Sequence, residues 1–477
     1  MLSYADSRRQ VFYIKANHPI FSSIVSLFLI LFIFMKNKEM GLLPCPLPCH
    51  THTDIESQSH SNHHLHSESS SSSTTLSSQP SLPSVPSLTP QIFHQQHERL
   101  SPTSNTAQHH CVATLKGHSS YISSLALAGK FLYSGSSNSE TRLWSRDPFG
   151  HETSTSMDNM VAISNGAVKS LVVEQDKLFS AHQDNKIRVW KINNNNNNTP
   201  NQKYKCIATL PTLNDRFSRF FSAKNYVKVR KHKKCTWVHH VDTISALAIS
   251  KDGSFLYSAS WDRSFKIWRT NDFKCLESVR NAHDDAINAI VLSKDGFVYT
   301  GSADKKIKVW KKNKEHSLVA TLEKHKSAVN ALALSSDGCV LYSGACDRSI
   351  LVWEKDIEAI DGDGGQMVLV GALRGHTKAI LCLAVVSDLV CSGSADNTVR
   401  IWRRGVEKSY SCLGVLEGHS RPVKCLAAAL DGNGVDRSGS DCGTSYLVYS
   451  GSLDCDIKVW QIKADTQIHT HFNNLLT

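Results

Sequence analysis

The sequence predicts an all-β fold, a seven-bladed β-propeller preceded by a disordered tail. Two features of the later part of the chain support this prediction. A tryptophan recurs, with four of the six spacings between 42 and 49 residues, near the period of about 40 to 45 residues expected for one propeller blade. Short apolar runs alternate with turn sequences. A change of composition near residue 110 separates this region from a polar N-terminal segment. The recurring tryptophans are Trp144, Trp190, Trp268, Trp310, Trp353, Trp402 and Trp460.

Each of these tryptophans follows the same polar residues at fixed distances. Ten residues before it lies a hydroxyl residue: Ser134, Ser180, Ser258, Thr300, Ser343, Ser392 and Ser450. Six residues before it lies an acid or an amide: Asn138, Asp184, Asp262, Asp304, Asp347, Asp396 and Asp454. Further upstream, a histidine precedes a short apolar strand in all units but the second: His118, His240, His283, His325, His376 and His419. We align Ala167 of the second unit with this histidine.

The pattern inside each unit is that of four short strands. The turn sequence SKDG at residues 250–253 and 293–296 separates alternating apolar runs, as in β-hairpins. Residues 307–310 read IKVW, an alternation typical of a half-buried strand. One four-stranded unit cannot bury both of its faces, whereas units stacked around an axis can. The sequence therefore predicts a propeller over residues 110–463.

The repeated His, Ser/Thr, Asp and Trp residues resemble the WD-repeat family over residues 110–463. In that family the four side chains form one hydrogen-bonded chain inside the blade, and the resemblance implies the same arrangement here. It also implies that residues 111–116, which no blade precedes, complete the seventh blade and close the ring. Because units 1 and 2 depart from the pattern, we expect their blades to be held less tightly.

A Ser–His–Asp set can also serve nucleophilic catalysis. A catalytic triad occurs once, in a cleft, whereas this set recurs from unit to unit, which favours a structural role. The sequence contains no nucleophile elbow, Walker loop, HExxH motif or dinucleotide fingerprint. We therefore expect a protein that is not an enzyme and that needs neither a metal nor a cofactor.

The segment before the propeller has two parts. Residues 20–35 are apolar and flanked by basic residues, but they are short for a membrane span of about 20 residues. Residues 1–39 are therefore either a membrane anchor or an extension upstream of an alternative start at Met40. Residues 40–109 are rich in Ser, His and Pro, which predicts a disordered tail in which lipidation of Cys45 or Cys49 is an open alternative. Residues 464–477 form a C-terminal tail.

The net charge and the cysteines restrict the class of protein. The formal net charge of +11 is compatible with acidic partners and does not by itself indicate nucleic-acid binding. None of the 14 cysteines forms a paired set with zinc-site spacing. Cys382, Cys391 and Cys425 lie in apolar strand-like runs, as expected for reduced, buried thiols of a cytoplasmic or nuclear protein.

The resemblance places partner binding on one face of the ring, the top face in the family, toward which the residue before each acid points. Those residues are Ser137, Gln183, Trp261, Ala303, Cys346, Ala395 and Leu453. Trp261 stands out, because an exposed tryptophan is among the residues most enriched at binding hot spots. The sequence therefore favours a binding site at Trp261 over a ring packed under a neighbouring loop.

The largest insertion, residues 211–239, lies in the same unit as Trp261 and combines aromatic residues with a basic run. The run comprises Lys228, Arg230, Lys231, His232, Lys233 and Lys234. Three interpretations stay open. The insertion docks an acidic peptide, it is a nuclear import signal, or it is a solvated loop with an aromatic anchor.

The same insertion indicates resemblance to one group within the WD-repeat family. The stretch NYVKVRKHKKCTW and the unit after it, HVDTISALAISKDGSFLYSASWDRSFKIWR, are similar to the plant Jingubang-type WD-repeat proteins. That resemblance implies a regulatory interaction scaffold, a monomeric propeller within complexes that binds protein or peptide partners. A cullin ubiquitin ligase substrate receptor is an alternative, but only residues 353–356 (WEKD) approach the motif it needs. A membrane-tethered WD-repeat protein is another, and it depends wholly on residues 20–35.

Overall fold

A computed structural model describes residues 85–89, 107–147, 159–193, 204–220, 226–230, 233–356, 366–405, 408–431 and 444–464. The apolar run at 20–35, Cys45 and Cys49 lie outside these residues. The strands within them form seven four-stranded antiparallel sheets and one two-stranded hairpin. These seven sheets are the predicted blades, so the all-β, seven-bladed prediction is confirmed.

The strands are numbered in chain order, starting from β1 (Gln108–Leu115). Blade 1 contains β2 (Ile122–Ala128), β3 (Phe131–Ser136), β4 (Glu140–Ser145) and β5 (Met160–Ile163). Blade 2 contains β6 (Val168–Glu174), β7 (Lys177–His182), β8 (Ile187–Ile192) and β9 (Tyr204–Leu210). The insertion that follows holds helix α1 (Leu213–Phe220) and a hairpin of β10 (Tyr226–Arg230) and β11 (Lys233–Thr236).

Blade 3 contains β12 (Ile244–Ile249), β13 (Phe255–Ser260), β14 (Phe265–Arg269) and β15 (Cys275–Val279). Blade 4 contains β16 (Ile287–Leu292), β17 (Phe297–Ser302), β18 (Ile307–Lys312) and β19 (His316–Leu322). Blade 5 contains β20 (Val329–Leu334), β21 (Val340–Ala345), β22 (Ile350–Lys355) and β23 (Met367–Leu373). Blade 6 contains β24 (Ile380–Val386), β25 (Leu389–Ser394), β26 (Val399–Arg404) and β27 (Tyr410–Leu416). Blade 7 contains β28 (Val423–Leu430), β29 (Thr444–Ser452) and β30 (Ile457–Ala464), and β1 is its fourth strand.

The blades stack as the repeat pattern requires. The first strands of adjacent blades contact one another around the axis, so the fourth strand of each blade lies at the rim. The core consists of seven apolar clusters, each shared by two adjacent blades. In the cluster between blades 4 and 5, for example, Phe297 of one blade and Trp353 of the next are buried together. Each blade therefore completes the core of its neighbour, so an isolated blade would leave apolar surface exposed.

Ring closure is made by the N-terminal strand. β1 pairs antiparallel with β30, from Gln108 opposite Lys463 to Leu115 opposite Ile457. Val112, Ala113 and Leu115 pack against the cluster between blades 7 and 1. This pairing confirms that the chain before the first repeat completes the seventh blade.

A short part of the predicted disordered tail is ordered. Residues 85–89 lie along the free edge of β23, where Leu88 N–H donates to Ala372 O and Ala372 N–H donates to Pro86 O, both at 2.9 Å. Leu88 rests on Gly371, where a Cβ would come within 2.6 Å of the leucine side chain. The prediction of disorder is therefore wrong for residues 85–89, because an existing strand edge supplies the hydrogen bonds and apolar surface that this segment cannot make alone.

Candidate functional site: the His–Asp face of the ring

One hydrogen-bonded chain of four side chains recurs in blades 3 to 7. In blade 4, the Trp310 indole N–H donates to Thr300 Oγ1 at 2.9 Å, Thr300 Oγ1 lies 2.7 Å from His283 Nε2, and His283 Nδ1 lies 2.8 Å from Asp304 Oδ2. The corresponding distances in the other four blades lie between 2.8 and 2.9 Å. Each chain joins the loop before the first strand to the turn between the second and third strands. We call the side of the ring where these loops and turns meet the His–Asp face.

The direction of the hydrogen bonds follows from the groups involved. The Asp carboxylate only accepts, so His Nδ1 carries the proton, and Nε2 accepts from the hydroxyl that itself accepts from the indole N–H. Ser258, Thr300, Ser343, Ser392 and Ser450 are fully buried, so the loss of one member leaves its partners without water. Since this set occurs in five blades and is closed to solvent, it stabilises the blades rather than forming a reaction centre.

Blade 1 departs from the pattern as its sequence predicted. His118 Nε2 lies 2.7 Å from Ser134 Oγ, and Trp144 donates to the same oxygen at 2.8 Å. Asn138 bonds Ser119 instead of the histidine. The nearest acid to His118 Nδ1 is Glu140, at 3.5 Å.

Blade 2 has the histidine that its sequence was expected to lack. His182 Nε2 lies 2.8 Å from Ser180 Oγ, which also accepts from Trp190 at 2.9 Å, and the ring is fully buried. Its Nδ1 lies 3.1 Å from both Gly166 O and Ser164 Oγ. Asp184 pairs with Arg188 instead.

The alignment of Ala167 with the family histidine is therefore wrong. The histidines of the other blades stand four residues before their first strand, as His118 does before Ile122, and in blade 2 that position is Ser164. Position 182 is in turn occupied by serine or alanine in the other blades, for example Ser136 and Ser260. Blade 2 has thus exchanged the two residue types while keeping an imidazole beside Ser180.

Acidification from about pH 6.5 to 4 is expected to destabilise blades 1 and 2. Burial, and then the nearby guanidiniums of Arg142 and Arg188, lower the pKa values of His118 and His182 to about 4. An unfolded histidine titrates near pH 6.5, so between the two values the unfolded chain binds more protons and stability falls as the pH falls. Urea unfolding midpoints measured across this range, with NMR titration of the two rings, check this. Ring titration near pH 6.5 would contradict it.

The aspartates of the hydrogen-bonded chains affect the stability of the fold at lower pH. Burial raises the pKa of Asp304, but hydrogen bonds from His283 and from backbone N–H groups outweigh burial and lower the pKa to about 2. Its contribution to stability is therefore complete above the unfolded value of about 3.9 and is lost as the pH falls toward 2.

The inner edge of the His–Asp face is lined by the second residue of each first strand. In four blades this is a serine or asparagine that donates to a backbone carbonyl of the next blade, as Asn288 does to Val329 O at 3.0 Å and Asn330 to Ile380 O at 2.8 Å. Blade 2 has Lys169 instead, whose ammonium lies 5.7 Å from the centre of the Trp261 ring. Burial lowers the pKa of Lys169. Among the described residues, no carboxylate pairs with this ammonium.

Trp261 is partly buried, rather than fully exposed as the sequence suggested. Its backbone N–H donates to Thr243 O at 3.0 Å, as the equivalent residue does in other blades. The indole therefore lies at the boundary between blades 2 and 3, with Lys169 against it. Sequence reasoning missed Lys169, because the contact joins residues of two different repeats.

The insertion is anchored to the outer part of blade 3. Asp215 of α1 is buried and accepts from Cys275 N–H at 2.7 Å, and Val238 after β11 is fully buried in the cluster between blades 2 and 3. Phe217 remains 52% exposed. Of the predicted basic run, the β10–β11 register places Lys228 opposite Lys234 and Arg230 opposite Lys233, whereas Lys231 and His232 lie outside the described residues.

Two further expectations concern metals and membranes. The described part of the chain contains no cluster of three His, Cys, Asp or Glu side chains that could hold a metal ion. The His-rich tract of the tail lies outside it. Across the same described ranges, no helix is long and apolar enough to cross a membrane.

Comparison with known families gives a match over half of the chain. The family of the WD domain, G-beta repeat, matches residues 109–145, 232–269, 273–311, 316–354, 367–403 and 410–461. The six matched segments correspond to blades 1 and 3 to 7. The unmatched blade 2 is the one in which histidine and serine are exchanged.

Similarity to three individual proteins covers about a quarter of this chain in each case. The chain is 28% identical over 132 residues to cell division control protein 4 of Candida albicans, covering 26% of this chain and 17% of that protein. It is 29% identical over 132 residues to telomerase protein component 1 of Rattus norvegicus, covering 28% of this chain and 4% of that protein. It is 28% identical over 166 residues to pre-mRNA-processing factor 19 homolog 2 of Arabidopsis thaliana, covering 26% of this chain and 31% of that protein. The chain thus spans less than a third of each relative's length.

Proposed function

Since this chain belongs to the WD-repeat family, we propose that it is a non-catalytic scaffold or adaptor that binds protein or peptide partners on the His–Asp face. WD-repeat propellers are typical protein-interaction scaffolds. We place the contact with the partner at blades 2 and 3, around Trp261, Lys169 and the hairpin of the insertion.

One observation carries this assignment. Trp261 is the only aromatic residue among the seven that precede the acid or amide position, and a lysine without an acidic partner in the described structure lies against its ring. A partner that supplies an acidic group beside an apolar one would pair with Lys169 while covering the indole. Aromatic and charged anchors of this kind dominate binding energy at protein interfaces.

The basic run extends the same preference. The hairpin register sets like charges opposite each other, at Lys228 with Lys234 and at Arg230 with Lys233. Four basic residues in one short hairpin give this segment a positive charge that attracts acidic segments. We propose that the run, Lys231 included, contributes to an electropositive rim that draws an acidic segment toward Trp261.

A regulatory role in the manner of the plant Jingubang-type proteins is the finer proposal, resting on the sequence of the insertion and of blade 3. The cullin receptor alternative is weakened by the surroundings of Glu354. That carboxylate is already paired with Arg404 at 2.5 Å and with Lys408 at 2.8 Å, which leaves it engaged within the ring.

Replacing Trp261 by alanine is expected to weaken partner binding by about 30-fold, the effect of losing a hot-spot residue of about 2 kcal/mol. Reversing the charges of Lys228, Arg230, Lys233 and Lys234 should weaken it separately. Affinity purification followed by measurement of Kd with a purified partner tests both. Leu318→Ala, which truncates a 48% exposed leucine on the outer strand of blade 4, is the control. Unchanged partners and affinities for both variants would refute the assignment.

A further inference from the structure

A cavity lies between the insertion and blade 3, and Asp262, the residue after Trp261, is part of its lining. Its volume is about 130 Å³, well above the roughly 10–15 Å³ that a cavity needs to hold one water molecule. The end of β11 and the loop to His239 form one wall, and the turn at residues 262–264 with Lys266 of β14 forms the other. Arg263 and Arg280 lie at its mouth, where both are exposed.

Lys266 supplies a buried donor at the wall of this cavity. The side chain is 2% exposed, and its ammonium donates to Trp237 O at 2.7 Å and to Ser278 Oγ at 2.5 Å. An ammonium has three donors, so one remains without a partner among the described residues. Burial lowers the pKa of Lys266, as expected for a cation enclosed without a directly bonded carboxylate.

The arginines add charge that is not compensated locally. Within the described part of the chain, neither Arg263 nor Arg280 has an ion pair or a side-chain hydrogen bond. The one acid lining the cavity, Asp262, already accepts from His240, Val241 N–H and Ser264. Three basic residues and one acidic residue line the cavity, a formal excess of two positive charges.

His239 does not alter this balance at neutral pH. Burial, and then the guanidinium of Arg216, lower its pKa to about 4, so its ring is neutral. Its Nδ1 lies 2.8 Å from Thr236 Oγ1. The other ring nitrogen, Nε2, is a further polar atom of this cavity-lining residue.

We propose that this cavity binds a phosphate monoester carried by a partner protein, with Arg263 and Arg280 at the mouth and Lys266 at the wall as its donors. A phosphorylated side chain carries a charge of about −1.5 to −2 at pH 7, which matches the local excess. It also has three terminal oxygens, enough for one ammonium and two guanidinium forks, whereas a carboxylate has two oxygens. The inference rests on the proposed function and adds the chemistry of the partner, because Arg263 lies two residues from Trp261.

Titration calorimetry of the full chain with small probes tests this. The probes are inorganic phosphate, N-acetyl-phosphoserine amide and unphosphorylated N-acetyl-serine amide. We expect the phosphoserine amide to bind and its unphosphorylated form not to bind. Replacing both Arg263 and Arg280 by alanine should weaken phosphoserine binding by about tenfold or more, since charge-assisted hydrogen bonds are lost.

Arg348→Ala is the matched control for this experiment. Arg348 occupies the position in blade 5 that Arg263 occupies in blade 3, with φ of 68° against 66°, and is likewise exposed. This variant should bind the probe as the wild type does. Trp261→Ala should also retain probe binding, so failure of the partner site and failure of the phosphate site are distinguishable.

The two sources of phosphate give different outcomes. Binding of inorganic phosphate as tight as that of the phosphoserine amide would indicate a site for the free ion and overturn the assignment to a partner. The site itself would be overturned if neither inorganic phosphate nor the phosphoserine amide bound, or if phosphoserine binding survived the double arginine substitution.

Discussion

Deletion of residues 108–115 is expected to abolish the single cooperative unfolding transition of the propeller. The deletion removes the fourth strand of blade 7 and exposes the backbone groups of β30 from Ile457 to Lys463. It also uncovers the cluster that Val112, Ala113 and Leu115 help to cover between blades 7 and 1. The combined loss is on the order of 5 kcal/mol or more. Calorimetry and circular dichroism melts measure it.

The control for this deletion keeps the strand and changes its exposed side chains. Alanine at Gln108 and His110, both exposed, leaves the backbone pairing intact and should leave the melt unchanged. If the deleted protein kept one sharp transition at the wild-type temperature, β1 would not be what closes the ring.

Replacing His182 by alanine is expected to cost about 3 kcal/mol, as much as removing the histidine of a regular blade. The ring fills a fully buried position, and its loss leaves the Ser180 hydroxyl and the Gly166 carbonyl without the imidazole. His376→Ala in blade 6 is the reference, since His376 bonds Ser392 in the same way. Urea unfolding of the two variants gives the comparison.

A double substitution separates the imidazole from its position in the chain. Ser164→His with His182→Ser restores to blade 2 the order of residues found in the other blades, and it is expected to recover much of the stability lost in His182→Ala. A double variant no more stable than His182→Ala would show that blade 2 tolerates only its own arrangement.

The sequence predicted the ring well because its signals are local and repeated. The hydroxyl and the Trp lie on adjacent strands of one hairpin and the acid lies in the turn between them, so their spacing is fixed by the lengths of the strands and the turn. The same local logic identified residues 111–116 as an outer strand. His182 was missed because two positions far apart in the chain, 164 and 182, meet in space and can exchange residue types.

The candidate site was predicted less completely, since its contacts cross repeats. Trp261 was singled out from its position, but its burial is set by blade 2, and Lys169 lies 92 positions earlier in the chain. The cavity depends on where an insertion folds back onto blade 3, which no periodic pattern encodes. Composition alone likewise did not indicate that residues 85–89 are ordered, because their order depends on the strand edge with which they pair.

That short segment is one of two described segments before the first repeat that pair with a strand at the outer part of a blade. Residues 85–89 are held at the outer edge of blade 5, and residues 108–115 at the outer edge of blade 7. Both segments therefore occupy backbone groups of β23 and β30 at which another chain could otherwise add a strand.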